Sequence, residues 1–421
     1  MKKYLFSITN GLILILFGFS GIAQIPMYPE TVSMGQGYAN EVYYQFSTGN
    51  KTETPRNTWD ISFRTMVMSS SIQTNDGANV TLWSYPYADT SGWGTVDTFG
   101  LSTWIPMYND PNDWENGAFN RYATTHPDYG WGKYNDVTHN LTGDSLFIIQ
   151  LRDGSFRKLW IIRKISIDRT YYFRYANLDG SDLQEIMLDC TPYATEDFVG
   201  FNMQTNLPVE YQPAKTTWDI LFTKYMSIQP GGEPYPVTGV LTNPDTYTKK
   251  YYPVDPEYND WEVAPWDSSR SNIGWDWKTF DMSSMTYQVN DSMVFYVKDQ
   301  LSEAYRLKFT AFEGSSTGNI DFGKARVFSS GIGDDKHSNV KITLFPNPAT
   351  EIIQIEIEKL KPINEGVSIA ILDFTGKTIL TEQLSSGHTH HTLNIQSLSP
   401  GVYLLKVTSG NNFSLNKFIK Q

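Results

Sequence analysis

The hexapeptide Thr58-Trp59-Asp60-Ile61-Ser62-Phe63 returns almost unchanged as Thr217-Trp218-Asp219-Ile220-Leu221-Phe222, 159 positions later (218 minus 59). A chain that writes such a stretch twice is constrained to build related structure twice, and three further landmarks follow in the same order. Asn112-Asp113-Trp114-Glu115 returns as Asn259-Asp260-Trp261-Glu262, Gly130-Trp131 as Gly274-Trp275, and Asp144-Ser145, which opens an apolar run, as Asp291-Ser292. The offset drifts only from 159 to 144 (274 minus 130), which predicts an internal duplication with a few insertions or deletions. Each copy has the size of one domain, and the two are expected in tandem over residues 34–194 and 195–328.

The repeated hexapeptides read as strands, because Trp59, Ile61 and Phe63 alternate with Asp60, Ser62 and Arg64, as Trp218, Ile220 and Phe222 do with Asp219, Leu221 and Thr223. One face is expected to be buried and the other at least partly wet. Val42–Phe46, Leu146–Leu151, Arg157–Ile165, Tyr171–Tyr175, Met293–Lys298 and Tyr305–Phe312 also read as strands. No segment past residue 23 keeps a 3.6-residue apolar period, so the fold class is all-β, with antiparallel sheets and few helices. Two long turn-rich stretches, Ser84 to Gly130 and Gln229 to Gly274, interrupt the strands; stretches of that length are commonly functional loops.

Lys2 and Lys3, then the apolar Leu12–Phe19 and the small residues Gly21-Ile22-Ala23, have the pattern of a secretory signal peptide over residues 1–23. No later segment approaches the ~20 apolar residues of a membrane-spanning helix. Cys190 is the one cysteine, so no intramolecular disulfide is available and stability must come from burial. With 45 acidic residues against 33 Lys and Arg and a net charge of -12, the chain lacks the basic face that nucleic acid requires. Residues 329–339 are polar and glycine-rich and read as a linker. Residues 340–421 change composition, contain no tryptophan, and are expected to form a third, small β-sandwich domain.

Leu344-Phe345-Pro346-Asn347-Pro348, Leu372-Asp373-Phe374-Thr375-Gly376-Lys377, Leu398-Ser399-Pro400-Gly401-Val402-Tyr403-Leu404-Leu405-Lys406-Val407 and the terminal Lys417-Phe418-Ile419-Lys420-Gln421 together resemble the type A C-terminal sorting domain of the type IX secretion system of Bacteroidetes. The resemblance implies an immunoglobulin-like sandwich over residues 340–421, read by the export machinery and commonly cleaved. The protein would then cross the periplasm and end up secreted or on the outer-membrane cell surface.

The repeated region resembles the HmuY-type haem-binding family of the same bacteria. Trp59-Asp60-Ile61-Ser62-Phe63-Arg64 with Thr74-Asn75-Asp76-Gly77 carries the likeness in the first copy. In the second it is carried by Trp218-Asp219-Ile220, Tyr305-Arg306-Leu307-Lys308-Phe309 and Thr317-Gly318-Asn319-Ile320. Haem, or a similar small planar ligand, is the cofactor this resemblance implies. The family's axial histidines map onto no particular positions here, and the second copy has no histidine between residues 198 and 328. His126 and His139 in the first copy are the candidate ligands by residue type, since imidazole is a workable axial ligand.

A different site is suggested by the rings that crowd the long stretches. Trp93, Trp104 and Trp114 in the first, and Trp261 and Trp266 in the second, are candidates for stacking against a planar molecule or the faces of sugars. The plainer use of the same rings is to anchor long loops on the sheets in a chain without disulfides. Acidic runs such as Asp110–Glu115 and Asp255–Asp260 hold oxygen ligands but lack the spacing of a calcium loop, so no metal is assigned. No nucleophile elbow, metal-binding His-Glu pair or phosphate loop is present in the sequence. The expectation is a non-enzymatic binding protein for haem or a similar ligand, with a glycan-binding or adhesive scaffold as the alternative and a secreted hydrolase behind both.

Overall fold

The structure is a computed structural model that describes residues 27–229, 231–327, 340–359, 367–373, 377–384, 390–409 and 412–421. The expected signal peptide (1–23) and linker (329–339) lie outside the described residues. The chain divides after Val327 into two units. Both are β throughout, and the helical segments of the described residues are 3-10 turns of three to six residues.

The N-terminal unit opens with β1 (Tyr28–Ser33), β2 (Asn40–Tyr44), β3 (Lys51–Pro55), β4 (Ile61–Arg64), β5 (Ile72–Thr74) and β6 (Thr81–Ser84). After the first long loop come β7 (Gly132–Tyr134), β8 (Leu141–Gly143), β9 (Phe147–Gln150), β10 (Phe156–Ile165), β11 (Thr170–Asn177), β12 (Gln184–Asp189), β13 (Phe198–Asn202) and β14 (Leu207–Val209). Then follow β15 (Ile220–Ile228), β16 (Pro234–Thr242) and β17 (Tyr247–Tyr251), the second long loop, and β18 (Lys278–Asp281), β19 (Thr286–Val289), β20 (Val294–Lys298), β21 (Ala304–Phe312) and β22 (Asn319–Val327).

These strands form two lobes, each an outer sheet packed on an inner one. In the first lobe the outer sheet runs β12-β11-β10, continued by β8-β7 and by β9-β6, over an inner sheet ordered β14-β13-β4-β5. The second lobe repeats that plan with an outer sheet β1-β22-β21-β20-β17 over an inner sheet β3-β2-β15-β16. Even the irregularities repeat: β10 and β11 slip register at Ile161/Arg163, and β21 and β22 slip at Phe309/Ala311.

Packing and sequence do not share a boundary. The second core takes Val32, Met34, Val42, Tyr44 and Phe46 from the beginning of the chain and joins them to Ile220, Phe222, Phe295, Leu307 and Phe322. The first core runs from Ile61 to Met203. Strands β1–β3 therefore belong to the second lobe, while β12–β14, at the matching place in the other half of the sequence, belong to the first. The expected tandem order gives way to an interleaved one, because β1 pairs edge to edge with β22 and β2 with β15, which carries their apolar residues into the second core.

The two inner sheets also pack on each other. Tyr43, Trp59, Trp114, Phe198, Tyr211, Trp218, Leu221 and Leu241 fill the seam between them. This corrects the expectation of one wet face: Asp60, Ser62 and Arg64 are 0, 0 and 4% exposed, and Asp219, Leu221 and Thr223 are 2, 4 and 5% exposed. The hexapeptides are written twice because they sit at the middle of a four-layer stack, where both faces of each inner strand are covered. The Gly130-Trp131 pairing shifts as well. Trp131 is fully buried in the first core, whereas its counterpart in the second is Trp277, not Trp275, which lies half-buried at the seam.

The aspartate in each hexapeptide closes a lobe. The carboxylate of Asp219 accepts the Phe46 backbone N–H at 2.7 Å, and that of Asp60 accepts the Met203 N–H at 2.7 Å. Each ties β15 or β4 to the end of the inner strand contributed by the other half of the sequence. Asp219→Ala would leave a buried N–H without an acceptor, at an expected cost of ~1–3 kcal/mol. Asp60→Ala should cost more, because Arg152 stands 3.3 Å from the same carboxylate and would lose its counter-charge, keeping its hydrogen bond to the Trp59 carbonyl. Urea unfolding of the two variants measures the difference; equal midpoints for both and for the parent protein would refute these roles.

The C-terminal unit is a sandwich of β23 (Val340–Phe345), β24 (Ile352–Lys359) and β27 (His390–Asn394) against β25 (Val367–Leu372), β26 (Thr378–Leu384), β28 (Gly401–Ser409) and β29 (Asn412–Lys420). Its core follows the period-two pattern, with Ile353, Ile355, Ile357, Val367, Ile369, Ile371, Leu405 and Val407 buried at 1% exposure or less.

Candidate functional site

Part of each long loop lies over the outer face of an outer sheet, and in each lobe a strand cation holds a loop tryptophan there. In the first lobe Lys158 of β10 donates to the Trp93 carbonyl at 3.1 Å, its ammonium 5.1 Å from the Trp93 ring. Arg174 of β11 fits between Trp93 and Trp160, 4.4 and 4.5 Å from their ring centres. In the second, Lys249 of β17 donates to the Trp261 carbonyl at 2.8 Å and lies 5.4 and 4.6 Å from the rings of Trp261 and Trp266. Cation–π contacts of this kind are worth ~0.5–2 kcal/mol each, so these parts of the loops are fastened to the sheets.

The five tryptophans singled out by sequence fall in three places. Trp93 and Trp104 share the cluster over the first outer sheet, and Trp261 and Trp266, 5.9 Å apart, share the one over the second. Trp114 lies in the seam, where its ring carries the Arg270 guanidinium at 3.7 Å and its indole N–H donates to the Thr242 carbonyl at 2.8 Å. A cavity of about 40 Å³ opens beside it, lined by Asp76, Asn109, Tyr225 and Arg270. That is room for a few waters and none for a porphyrin. Burial pushes the Arg270 guanidinium down to about 10 and the Asp76 carboxyl up to about 6.

His126 and His139 stand on the surface by β7. Both pack against Tyr134, with ring centres 5.5 and 6.0 Å from it. The Nε2 of His126 is 2.9 Å from the Asp136 carboxylate, and the Nδ1 of His139 is 2.7 Å from the Tyr134 hydroxyl. Neither histidine lines the seam cavity. Among the described residues no three His, Cys, Asp or Glu side chains converge as a metal site would require. The acidic runs serve their own turns: Asp110 accepts the Asn112 N–H and Asp255 the Glu257 N–H, at 2.9 and 2.8 Å. Cys190 is buried, and burial pushes its thiol up to about 12, so it is inert rather than nucleophilic.

Among the outward residues of the first loop, mostly polar, a few are large and apolar. Phe99, Ile105 and Tyr87 are 77, 73 and 55% exposed. The Tyr87 ring stands 6.4 Å from Phe99 and 5.8 Å from Trp104, which packs edge-on against Tyr85 at 5.8 Å. Neither Phe99 nor Ile105 was singled out by sequence, and nothing in a turn-rich stretch separates an outward ring from an anchoring one. The cations beneath the loops were equally hidden, since Lys158 and Arg174 read as ordinary solvent-facing positions of alternating strands.

In the C-terminal unit, segments far apart in sequence come together around the last strand. Asn347 donates to the Lys417 carbonyl and accepts the Ile419 N–H at 2.9 Å, while Phe418 stacks on Tyr403 at 5.7 Å. Phe374, Thr375 and Gly376 lie outside the described residues. Residues 343–421 match the family described as the secretion system C-terminal sorting domain. The chain thus carries a type IX secretion address, which marks it as a secreted or cell-surface protein and the type IX machinery as its partner in export. No helix among the described residues is long and apolar enough to cross a membrane.

No curated protein matches the chain. Among solved structures, the dimeric latent PorU from Porphyromonas gingivalis aligns with 67% of this chain and 31% of its own, at 12% identity and a TM-score of 0.17. The extracellular domain of BT4673, a one-component system protein from B. thetaiotaomicron, aligns with 90% of this chain and 50% of its own, at 9% identity and a TM-score of 0.18. The BSP domain of a biofilm associated protein aligns with 94% and 81%, at 9% identity and a TM-score of 0.18. The chain spans less than two thirds of the first two, and at such TM-scores none of the three informs its function.

Proposed function

We propose that the protein is a non-enzymatic binding protein, secreted or displayed at the cell surface, that holds glycan chains against the loop over its first outer sheet. The observation that carries this reading is the outward ring pair of Tyr87 and Phe99, 6.4 Å apart and 55 and 77% exposed, with Ile105, 73% exposed, on the same loop, whose Trp93 is pinned by Arg174 and Lys158. Contiguous exposed apolar surface marks an interaction site, and rigid rings offer flat faces to the C–H face of a sugar at little entropic cost. The net charge of -12 favours neutral glycans over acidic ones.

Haem capture, which the HmuY resemblance implies, has less support in the geometry, since His126 and His139 stand exposed on the surface and neither lines the seam cavity, which is too small for a porphyrin. A haemin titration that shifts the Soret band would restore it.

A glycan array probed with the purified protein tests the main reading. Neutral oligosaccharides are expected to bind, and Tyr87→Ala with Phe99→Ala should weaken them about tenfold or more, equivalent to about 1.4 kcal/mol, without lowering Tm. Silence across the array, or a double variant that binds like the parent, would refute it.

A further inference from the structure

The seam cavity beside Trp114 gathers hydrogen-bond donors that the fold leaves without acceptors. Arg270 reaches it from the second long loop with its backbone held on both sides: its N–H donates to the Asn112 carbonyl at 3.1 Å and its carbonyl accepts the Thr242 N–H at 2.7 Å. The Trp114 ring covers the guanidinium at 3.7 Å. Arg270 is 4% exposed, yet among the described residues nothing accepts from its Nε or Nη1. The Trp59 indole N–H and the hydroxyls of Thr74 and Tyr225 line the same cavity, in residues 6, 1 and 5% exposed, and are likewise unmatched.

The acceptors of the wall are already engaged. The Asp76 carboxylate accepts the Asn109 N–H at 3.0 Å, and the N–H groups of Gly77 and Met226 are also directed at it. The Glu41 carboxyl accepts the hydroxyls of Tyr43 and Thr223 at 3.1 and 3.0 Å. Each unmatched group can therefore donate, and those of Arg270 and Trp59 can do nothing else. A water in this space still has its own hydrogens to place, whereas an anion accepts from several donors and needs no acceptor, through charge-assisted bonds where the donor is a guanidinium. Buried donors left unmatched are costly, and a volume of about 40 Å³ admits an anion of ~one to four heavy atoms, the space of a few waters.

We infer that the seam cavity binds one small monovalent anion, chloride or a planar oxyanion such as formate or nitrate, held by the Arg270 guanidinium with the Trp59, Thr74 and Tyr225 donors. Trp59 and Thr74 belong to the first lobe and Tyr225 and Arg270 to the second, so the anion joins the lobes where their inner sheets meet. The site is separate from the exposed rings and independent of the glycan-binding reading.

The other charged groups packed about it are Asp76 and Asp110 from the first lobe and its loop, and Glu41, Arg56 and Lys224 from the second. Burial pushes Tyr211 and Tyr225 up, so both stay neutral. It also pushes the Asp76 carboxyl up to about 6 and that of Glu41 up to about 7, while Arg270, at about 10, keeps its charge. As pH falls from 8 to 5.5 the two carboxyls take up protons, the negative charge facing the anion is removed, and binding should tighten.

Thermal unfolding of the full chain in chloride, nitrate and formate, against gluconate, which is too large for the cavity, tests the inference at constant ionic strength. Tm should rise with the small anions and not with gluconate, at lower concentration at pH 5.5 than at pH 8. Tyr225→Phe removes one donor and keeps the ring, so it should weaken the anion about tenfold while Tm in gluconate holds; Arg270→Gln should abolish the response. In bromide-soaked crystals an anomalous peak is expected beside Arg270. Bromide at the surface alone with water at the seam, a Tyr225→Phe response equal to the parent's, or binding that does not tighten toward pH 5.5 would each overturn the assignment.

Discussion

Removing residues 1–55 is expected to unfold the second lobe and leave the first intact. The deletion takes β2 and β3 from a four-stranded inner sheet and the edge strand β1 from the outer one. With them go Val32, Met34, Tyr38, Val42, Tyr44 and Phe46 of the second core. At ~1.5–3 kcal/mol for each fully buried apolar side chain, the loss is on the order of 10 kcal/mol, the whole stability of an ordinary domain. The first core, from Ile61 to Met203, draws nothing from the deleted stretch.

The same reasoning supplies the rescue. Tyr28 of β1 lies opposite Lys324 of β22, three residues before Val327, so a short Gly/Ser linker can join the end of β22 to the start of β1. Opening the chain between Asn57 and Thr58, in the turn after β3, gives a circular permutant of the N-terminal unit in which the second lobe is continuous. Hydrogen exchange is the readout. Amides of β20–β22 should be protected in the parent protein and the permutant and exchange freely in the deletion variant, while β9–β11 stay protected in all three. Protection of β20–β22 after the deletion would show that β1–β3 do not complete that lobe.

This interleaving shows where sequence was legible and where it was not. Apolar runs and alternation located β2, β9, β10, β11, β20 and β21 within a residue or two, because each buries at least one face. The hexapeptide repeat marked both inner sheets. What strand patterns cannot state is which copy a strand joins, since hydrogen bonds to β22 and to β11 ask the same of a side chain. A signal existed: Tyr38-Ala39-Asn40-Glu41 returns as Tyr193-Ala194-Thr195-Glu196, which places β1–β3 beside β12–β14 in the repeat and moves the boundary of the sequence copies ahead of residue 184. The loops were less legible still. Trp93 and Phe99 lie six positions apart in one turn-rich stretch; one is held by Arg174 and the other faces solvent, a difference made by cations on β10 and β11 that no local pattern announces.

Stability of the N-terminal unit is expected to pass through a minimum near pH 7–8, the opposite of the usual neutral maximum. Burial pushes the Glu41 carboxyl up to about 7, and those of Asp76 and Asp219 up to about 6. A raised acid keeps its proton in the folded chain after the unfolded chain, with carboxyl values near ~4, has lost it. Stability therefore falls as pH rises through that interval and stays low above it. Burial acts in the other direction on two lysines, taking Lys278 down to about 7 and Lys164 to about 8. Between those values and the unfolded ~10.4 the unfolded chain holds more protons on these lysines, so they raise stability with pH, offset in part above ~8.5 by the Cys190 thiol, which burial keeps protonated up to about 12. The two limbs meet just above neutrality.

Each pH unit over which folded and unfolded chains differ by one proton is worth about 1.4 kcal/mol, which makes Glu41 alone worth on the order of 3 kcal/mol across the acid limb. Its carboxyl accepts the Tyr43 hydroxyl at 3.1 Å and the Thr223 hydroxyl at 3.0 Å at the seam, with Arg56 the nearby cation. Glu41→Gln keeps the shape and removes its titration, so it should flatten the limb between pH 6 and 7 and make it shallower below pH 6, where Asp76 and Asp219 still titrate, while leaving the alkaline limb in place. Lys278, which donates to the carbonyls of Thr238 and Trp275 at 2.6 and 3.3 Å, should do the reverse as Lys278→Met. Urea midpoints at pH 5, 7.5 and 9.5 for the three proteins decide the matter: a parent midpoint that climbs steadily from pH 5 to 7.5 contradicts the buried carboxyls, and an unchanged acid limb in Glu41→Gln removes Glu41 as its main source.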